Sequence, residues 1–201
     1  MKSLIQTHAE NSLIWCGQAI TLYAGSKTCE GIGSGKIKVI VWFMENIVSL
    51  EGYSLRDITR DLGLGKKQKK EGEQSSASPS VTNTVRCLID LGVLEKKRSN
   101  YQARIEEDPS KRKMYSWIAK AFITLVWNSD RGTPYTVGSK KINALVWIYE
   151  NKKSLPGSIK HANELLGVSG STTSTIFPLL IEVGLLEKVG KKDGARFKVK
   201  E

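Results

Sequence analysis

Residues 32–46 read IGSGKIKVIVWFMEN and residues 137–151 read VGSKKINALVWIYEN, identical at eight of fifteen positions without a gap. A match of that density inside one chain indicates an internal repeat, and a repeat governs how every other segment is read. Working outward, Ile20-Thr21-Leu22 matches Ile123-Thr124-Leu125 upstream, and LIDLGVLEKK (88–97) matches LIEVGLLEKV (180–189) downstream, in the same order. One unit is therefore expected at residues 1–104, and a link with a second unit at 105–201.

Each unit carries signals for four helices and a hairpin. A first apolar helix (about 4–23, and 117–127) leads to a Gly/Ser stretch in which Ser34 or Ser139 is expected to cap the next helix. That helix has Ile37, Ile40, Val41 and Met44, matched by Ile142, Leu145, Val146 and Tyr149, at three-four spacing. A short helix follows (54–62, and 158–166), closed by Gly63 or Gly167, where a left-handed residue ends a helix. The next begins near Ser80 or Ser171, buries Val81, Val85 and Leu88, or Thr173, Phe177 and Leu180, and stops at Gly92 or Gly184. Pro178 inside it is expected to kink the axis. A short strand (93–96, 185–188), a basic turn and a returning strand complete the unit. The fold class expected is mainly α with small β-hairpin wings.

Helix, helix, turn, helix ending in Gly-(Leu/Val)-Leu-Glu-Lys, then a hairpin, resembles the winged helix-turn-helix fold, here twice in tandem. The Gly-Leu-Leu-Glu-Lys phrase is similar to the recognition-helix ends of MarR-like and PadR-like regulators. The tandem arrangement resembles plasmid replication initiators, winged-helix subunits associated with RNA polymerase III, and endosomal-sorting subunits that bind protein. The resemblance implies sequence-specific binding of double-stranded DNA, first as a transcriptional regulator. A plasmid or viral replication-initiation or partition protein is the alternative, and a tandem winged-helix protein scaffold the third reading.

Composition agrees with a nucleic-acid partner. The 201 residues are 40% hydrophobic and 25% charged, as in ordinary globular proteins, with net charge +11. Basic residues outnumber acidic ones 14 to 10 up to position 100 and 17 to 10 after it, so both halves are positive, at +4 and +7. Such a field favours a polyanion. No run approaches the roughly 20 apolar residues of a spanning helix, and the chain start lacks a signal-peptide pattern, so a cytoplasmic or nucleoid-associated protein without a membrane partner is expected. Cys16, Cys29 and Cys87 show no CxxC pair, so spacing indicates neither a disulfide framework nor a zinc site.

The recognition helix enters the major groove by its N-terminal end. The candidates there are Ser80, Thr82, Asn83 and Arg86 in the first unit, and Ser171, Thr172, Ser174 and Thr175 in the second. Asn and Arg make two-point contacts with adenine and guanine, which single hydroxyls do not. A hairpin around Asp108-Pro109-Ser110 is expected to bring Arg104, Lys111, Arg112 and Lys113 to phosphate, and the turn at 190–194 to bring Lys191, Lys192 and Arg196. The first unit also holds a polar insert at about 65–79 without an apolar anchor, whose Lys66, Lys67, Lys69 and Lys70 are further phosphate candidates. Core packing is the expected role of nearly all five tryptophans, while leftover apolar surface on the two first helices is expected to join the units or form a homodimer.

Enzymatic motifs are missing. The stretch 31–36, GIGSGK, has Glu30 where a phosphate loop needs its first Gly and Ile37 where it needs a hydroxyl. His8 and His161 lack neighbours at metal-ligand spacing. No catalytic residue, metal or cofactor is therefore expected.

Overall fold

The computed structural model describes residues 4–29, 32–47, 50, 52–64, 77–98, 100–127, 137–167, 170–190 and 195–201. It is mainly helical, with two small antiparallel hairpins. Helices α1 (Leu4–Gly25), α2 (Ser34–Asn46), α3 (Leu55–Asp61) and α4 (Pro79–Asp90) lead into strands β1 (Leu94–Lys97) and β2 (Asn100–Ala103). Helices α5 (Pro109–Trp127), α6 (Ser139–Glu150), α7 (Ile159–Leu166) and α8 (Gly170–Glu182) lead into β3 (Leu186–Val189) and β4 (Arg196–Val199). The element order of the first half recurs in the second.

Helices α1 and α5 pack on each other at the centre. Ile14, Trp15, Ala19, Ile20 and Tyr23 line the buried face of α1, and Tyr115, Ile118, Ala119, Phe122 and Val126 that of α5. The three-four spacing gathers each set into one stripe, and each large side chain so buried contributes roughly 1.5–3 kcal/mol. Gly17 lets the backbones meet, because a Cβ there would lie 1.9 Å from the carbonyl oxygen of Tyr115. These faces of α1 and α5 thus join the two halves of the chain, the first of the two roles expected of their apolar surface.

The halves share their hydrogen bonds as well as their order. The Trp15 indole donates to the carbonyl of Val93 (2.8 Å), and the Trp117 indole to that of Leu185 (3.3 Å). Val93 and Leu185 hold matching places before their hairpins, and each carbonyl also accepts the N–H just past the returning strand, from Arg104 or Lys200. A first helix thus pins each hairpin root. Similarly, Asn46 and Asn151 donate back to Trp42 and Trp147, closing α2 and α6. Gly63, Gly92, Gly167 and Gly184 all have positive φ, as expected of residues that end helices.

Several boundaries differ from the expected ones. Ser34 and Ser139 are first helical residues; Gly33 and Gly138 occupy the cap positions, without a side-chain cap. The Ser139 hydroxyl instead accepts the N–H of Ile32, linking the two halves. Helix α8 runs on through Pro178. Helix α5 starts at Pro109, so Asp108-Pro109-Ser110 begins a helix; the innermost pair of the first hairpin is Lys97 with Asn100. Asp108 accepts the N–H groups of Ser110 and Lys111, which stabilises that helix start.

The two short helices, α3 and α7, do carry side-chain caps. Ser158 accepts the N–H of His161, and Ser54 forms a capping box with Asp57. The Ser54 hydroxyl and N–H donate to the Asp57 carboxylate at 2.6 and 3.0 Å, which, with Arg60 nearby, holds its pKa below the ordinary 3.8. A depressed carboxylate pKa stabilises above the unfolded value and loses that stabilisation as pH falls through the folded one. Ser54→Ala, which removes the cap, is expected to lower the melting temperature at pH 7. The gap from the parent should shrink below about pH 4, as thermal melts at pH 7 and pH 3 would show.

Candidate functional site

The pairing of α3 with α4 is set by one buried residue. Thr59 accepts the N–H of Ser78, the residue before α4, and donates to the carbonyl of Leu55. Counted from the closing glycines, Asn163 on α7 holds the matching place, and its side-chain oxygen accepts from Thr173 on α8. In both halves a polar side chain of the shorter helix thus holds the start of the longer one. Sequence reasoning missed both; the signal was a polar residue four before each closing Gly.

So held, α4 buries Val81, Thr84, Val85 and Leu88, and exposes Thr82, Asn83 and Arg86 as one stripe over its first two turns. Ser80 differs from expectation. It is half-buried against α2, close enough that a Cβ on Gly35 would come within 2.7 Å of its hydroxyl. Asn83 and Arg86 open onto a groove of about 360 Å³ whose other walls are Tyr23, Thr28, Lys36, Cys87 and Asp90. The Lys36 ammonium lies 5.8 Å from the centre of the Tyr23 ring, within cation–π range. Sequence reasoning also missed Lys36, which comes from the repeated segment itself.

Cys29 and Cys87 pair as a disulfide, which their spacing in sequence did not indicate. Helical periodicity does not reveal that Thr28 and Cys29 lie beside α4.

Helix α8 presents a different surface. Ser171, Ser174 and Thr175 are exposed as expected, but Thr172 is buried with Thr173, which corrects its assignment to the outer face. The Thr175 hydroxyl donates to the carbonyl of Ser171, so it is engaged within its own helix. Pro178 and Ile181 continue the exposed face, which carries no basic residue from Ser171 to Glu182. Among the described residues, the large exposed hydrophobics, Trp127, Leu165, Ile181, Val183 and Val189, all belong to the second half.

The expected basic hairpin set divides three ways. Arg104 directly follows β2 and pairs with Glu95 across the hairpin, its side chain mostly exposed. Lys111, Arg112 and Lys113 lie on α5, not on a hairpin. Lys111 pairs with Glu106 at 3.6 Å. Arg112 donates to the Glu106 carbonyl and to the Asn11 side chain, tying the start of α5 to α1. Lys113 is exposed. Arg196 is exposed at the start of β4, opposite Val189. Lys66, Lys67, Lys69, Lys70, Lys191 and Lys192 lie outside the described residues. No helix among the described residues is long and apolar enough to cross a membrane.

No protein-family model matches the chain, and neither a curated protein nor a solved structure does.

Proposed function

We propose that this chain is a sequence-specific double-stranded DNA-binding protein built from two winged helix-turn-helix units, acting as a transcriptional regulator by occupying a promoter. The observation that carries the reading is the exposed Thr82-Asn83-Arg86 stripe at the front of α4, on a chain of net charge +11. In the helix-turn-helix mode that end of the second helix enters the major groove, where Asn and Arg discriminate bases by paired hydrogen bonds. In this reading the α3–α4 and α7–α8 pairs are the helix-turn-helix elements and the two hairpins the wings. The matching indole, asparagine and glycine contacts of the two halves support a duplicated unit.

A replication-initiation or partition role is favoured by one specific observation, the unequal chemistry of α4 and α8, which suits an asymmetric or iterated site. Sequencing the duplex fragments selected by the purified protein separates the two. Enrichment of the region upstream of its own gene supports the regulator, and enrichment of an iterated array the initiator.

The electrostatic test applies to both. Duplex affinity should fall steeply with salt, the log-log slope rising by about 0.9 for each phosphate contact, because each contact releases condensed counterions. Six or more contacts predict a loss of roughly 10³-fold between 50 and 200 mM salt. Fluorescence anisotropy on a labelled duplex measures it, and a flat response removes duplex DNA as the partner.

A further inference from the structure

We propose that the Cys29–Cys87 pair is a reversible redox latch that fixes residues 26–29 against α4, and so controls the groove that Asn83 and Arg86 open onto. The regulatory consequence rests on the DNA-binding reading of α4.

The geometry places the two sulfurs at a joint between elements. Cys29 lies in the connection from α1 to α2, in a turn where the Ser26 hydroxyl accepts the N–H groups of Thr28 and Cys29, both at 3.2 Å. Cys87 lies on α4, beside Arg86 and one turn beyond Asn83. Their Cα atoms are 6.0 Å apart, within the reach of a disulfide, although 58 positions separate them in sequence. Thr28 and Cys87 are both walls of the groove.

Packing alone does not call for cysteine at these places. In the sequence match, Cys87 corresponds to Leu179, and residues 105–201 contain no cysteine. Leu179 packs against the core from the same position on α8. The pair therefore occurs only in the half whose long helix carries Asn and Arg outward. Cys16 does not compete for either partner, since it is fully buried and burial pushes its thiol up to about 12.

The chemistry closes with a low-molecular-weight disulfide, RSSR, as oxidant. The Cys87 thiolate attacks one sulfur of RSSR, forming a mixed disulfide and releasing RS⁻. The Cys29 thiolate then attacks the Cys87 sulfur, forming the Cys29–Cys87 bond and releasing the second RS⁻. The two thiol protons end on two RSH. In excess, RSH reverses both steps and is oxidised to RSSR. Cys87 is the more exposed of the pair, so exchange begins there.

Oxidised, the latch holds Thr28 and the start of α2, with Lys36, beside Arg86. Reduced, the connection keeps the Ser26 turn and the Ile32–Ser139 hydrogen bond but loses its tie to α4. A duplex must then order that wall on binding, which lowers affinity.

The test uses the full chain equilibrated either with oxidised glutathione or with dithiothreitol, and a random-sequence duplex at one fixed salt. Alkylation and mass spectrometry after denaturation should count one free thiol in the first state and three in the second. Hydrogen exchange of residues 26–29 should speed up on reduction, and the duplex Kd should rise about 3- to 10-fold, reversibly. Cys29→Ser with Cys87→Ser, checked for folding by circular dichroism, should match the reduced protein and ignore the redox state. Three free thiols after oxidation, or identical exchange at 26–29 in both states, overturns the latch. Equal affinity in two states that differ in exchange overturns its control of the groove. Failure of both states to bind duplex overturns the DNA reading instead, and the exchange measurement then decides the latch by itself.

Discussion

Gly17→Ala is expected to lower the melting temperature of this protein by about 10 °C, whereas Gly25→Ala in the same helix is expected to leave it within about 2 °C. The added Cβ at position 17 would meet backbone, with the Tyr115 carbonyl oxygen at 1.9 Å and its Cα at 2.8 Å, so no side-chain rotation relieves the clash. Helices α1 and α5 must separate, and the stripes of Trp15, Ile20, Ile118 and Phe122 lose their close fit. Overpacking of a filled core costs about 1–3 kcal/mol or more, and a chain of this size loses roughly 2–4 °C per kcal/mol. A Cβ on Gly25 meets no atom within 4 Å, which makes it the control. Thermal denaturation followed by circular dichroism measures both variants. Equal melting temperatures would mean that α1 and α5 do not pack backbone to backbone at Gly17.

Replacing Asn83 and Arg86 together by Ala is expected to reduce the specific-to-random affinity ratio for duplex DNA by at least about 30-fold, since each paired contact discriminates by roughly 1–3 kcal/mol. Ser174→Ala with Thr175→Ala should reduce it far less. The Thr175 hydroxyl already bonds the Ser171 carbonyl, and the face around it carries no group with paired donors or acceptors. Lys191→Ala with Lys192→Ala should instead weaken all duplexes about equally, as phosphate contacts do. The comparison needs one fixed salt, the fragments selected above and circular dichroism on each variant. If the second-half pair proves the more damaging, base reading belongs to α8 and α4 acts as a backbone clamp.

The repeated segment and its periodicity were enough to place the second helix of each half. Ile37, Ile40 and Val41 on α2, and Ile142 and Leu145 on α6, are buried where three-four spacing puts them. Gly63, Gly92, Gly167 and Gly184 end their helices at positive φ because a side chain disfavours that conformation. Asn83 and Arg86 were legible as outward residues for the same reason: with Val81, Val85 and Leu88 turned inward, helical geometry leaves them on the far face. Local rules failed where two readings were locally equivalent. Asp-Pro-Ser suits a hairpin turn or a helix start, and α5 uses it as the latter, engaging Arg112 with Asn11 of α1.

The sequence by itself determined the two-part pattern of helices and hairpins, the inward and outward faces of α4 and the positive field, since these follow from residue type and spacing along one chain. Tertiary structure alone decided the rest, because it depends on residues far apart in sequence meeting in space. The Gly17–Tyr115 approach joins the halves, the Trp15 and Trp117 indoles pin the hairpins, Thr172 turns inward on α8, and Cys29 meets Cys87. A backbone approach too close for a Cβ at Gly17 leaves no trace in periodicity, because it is a property of how two helices cross.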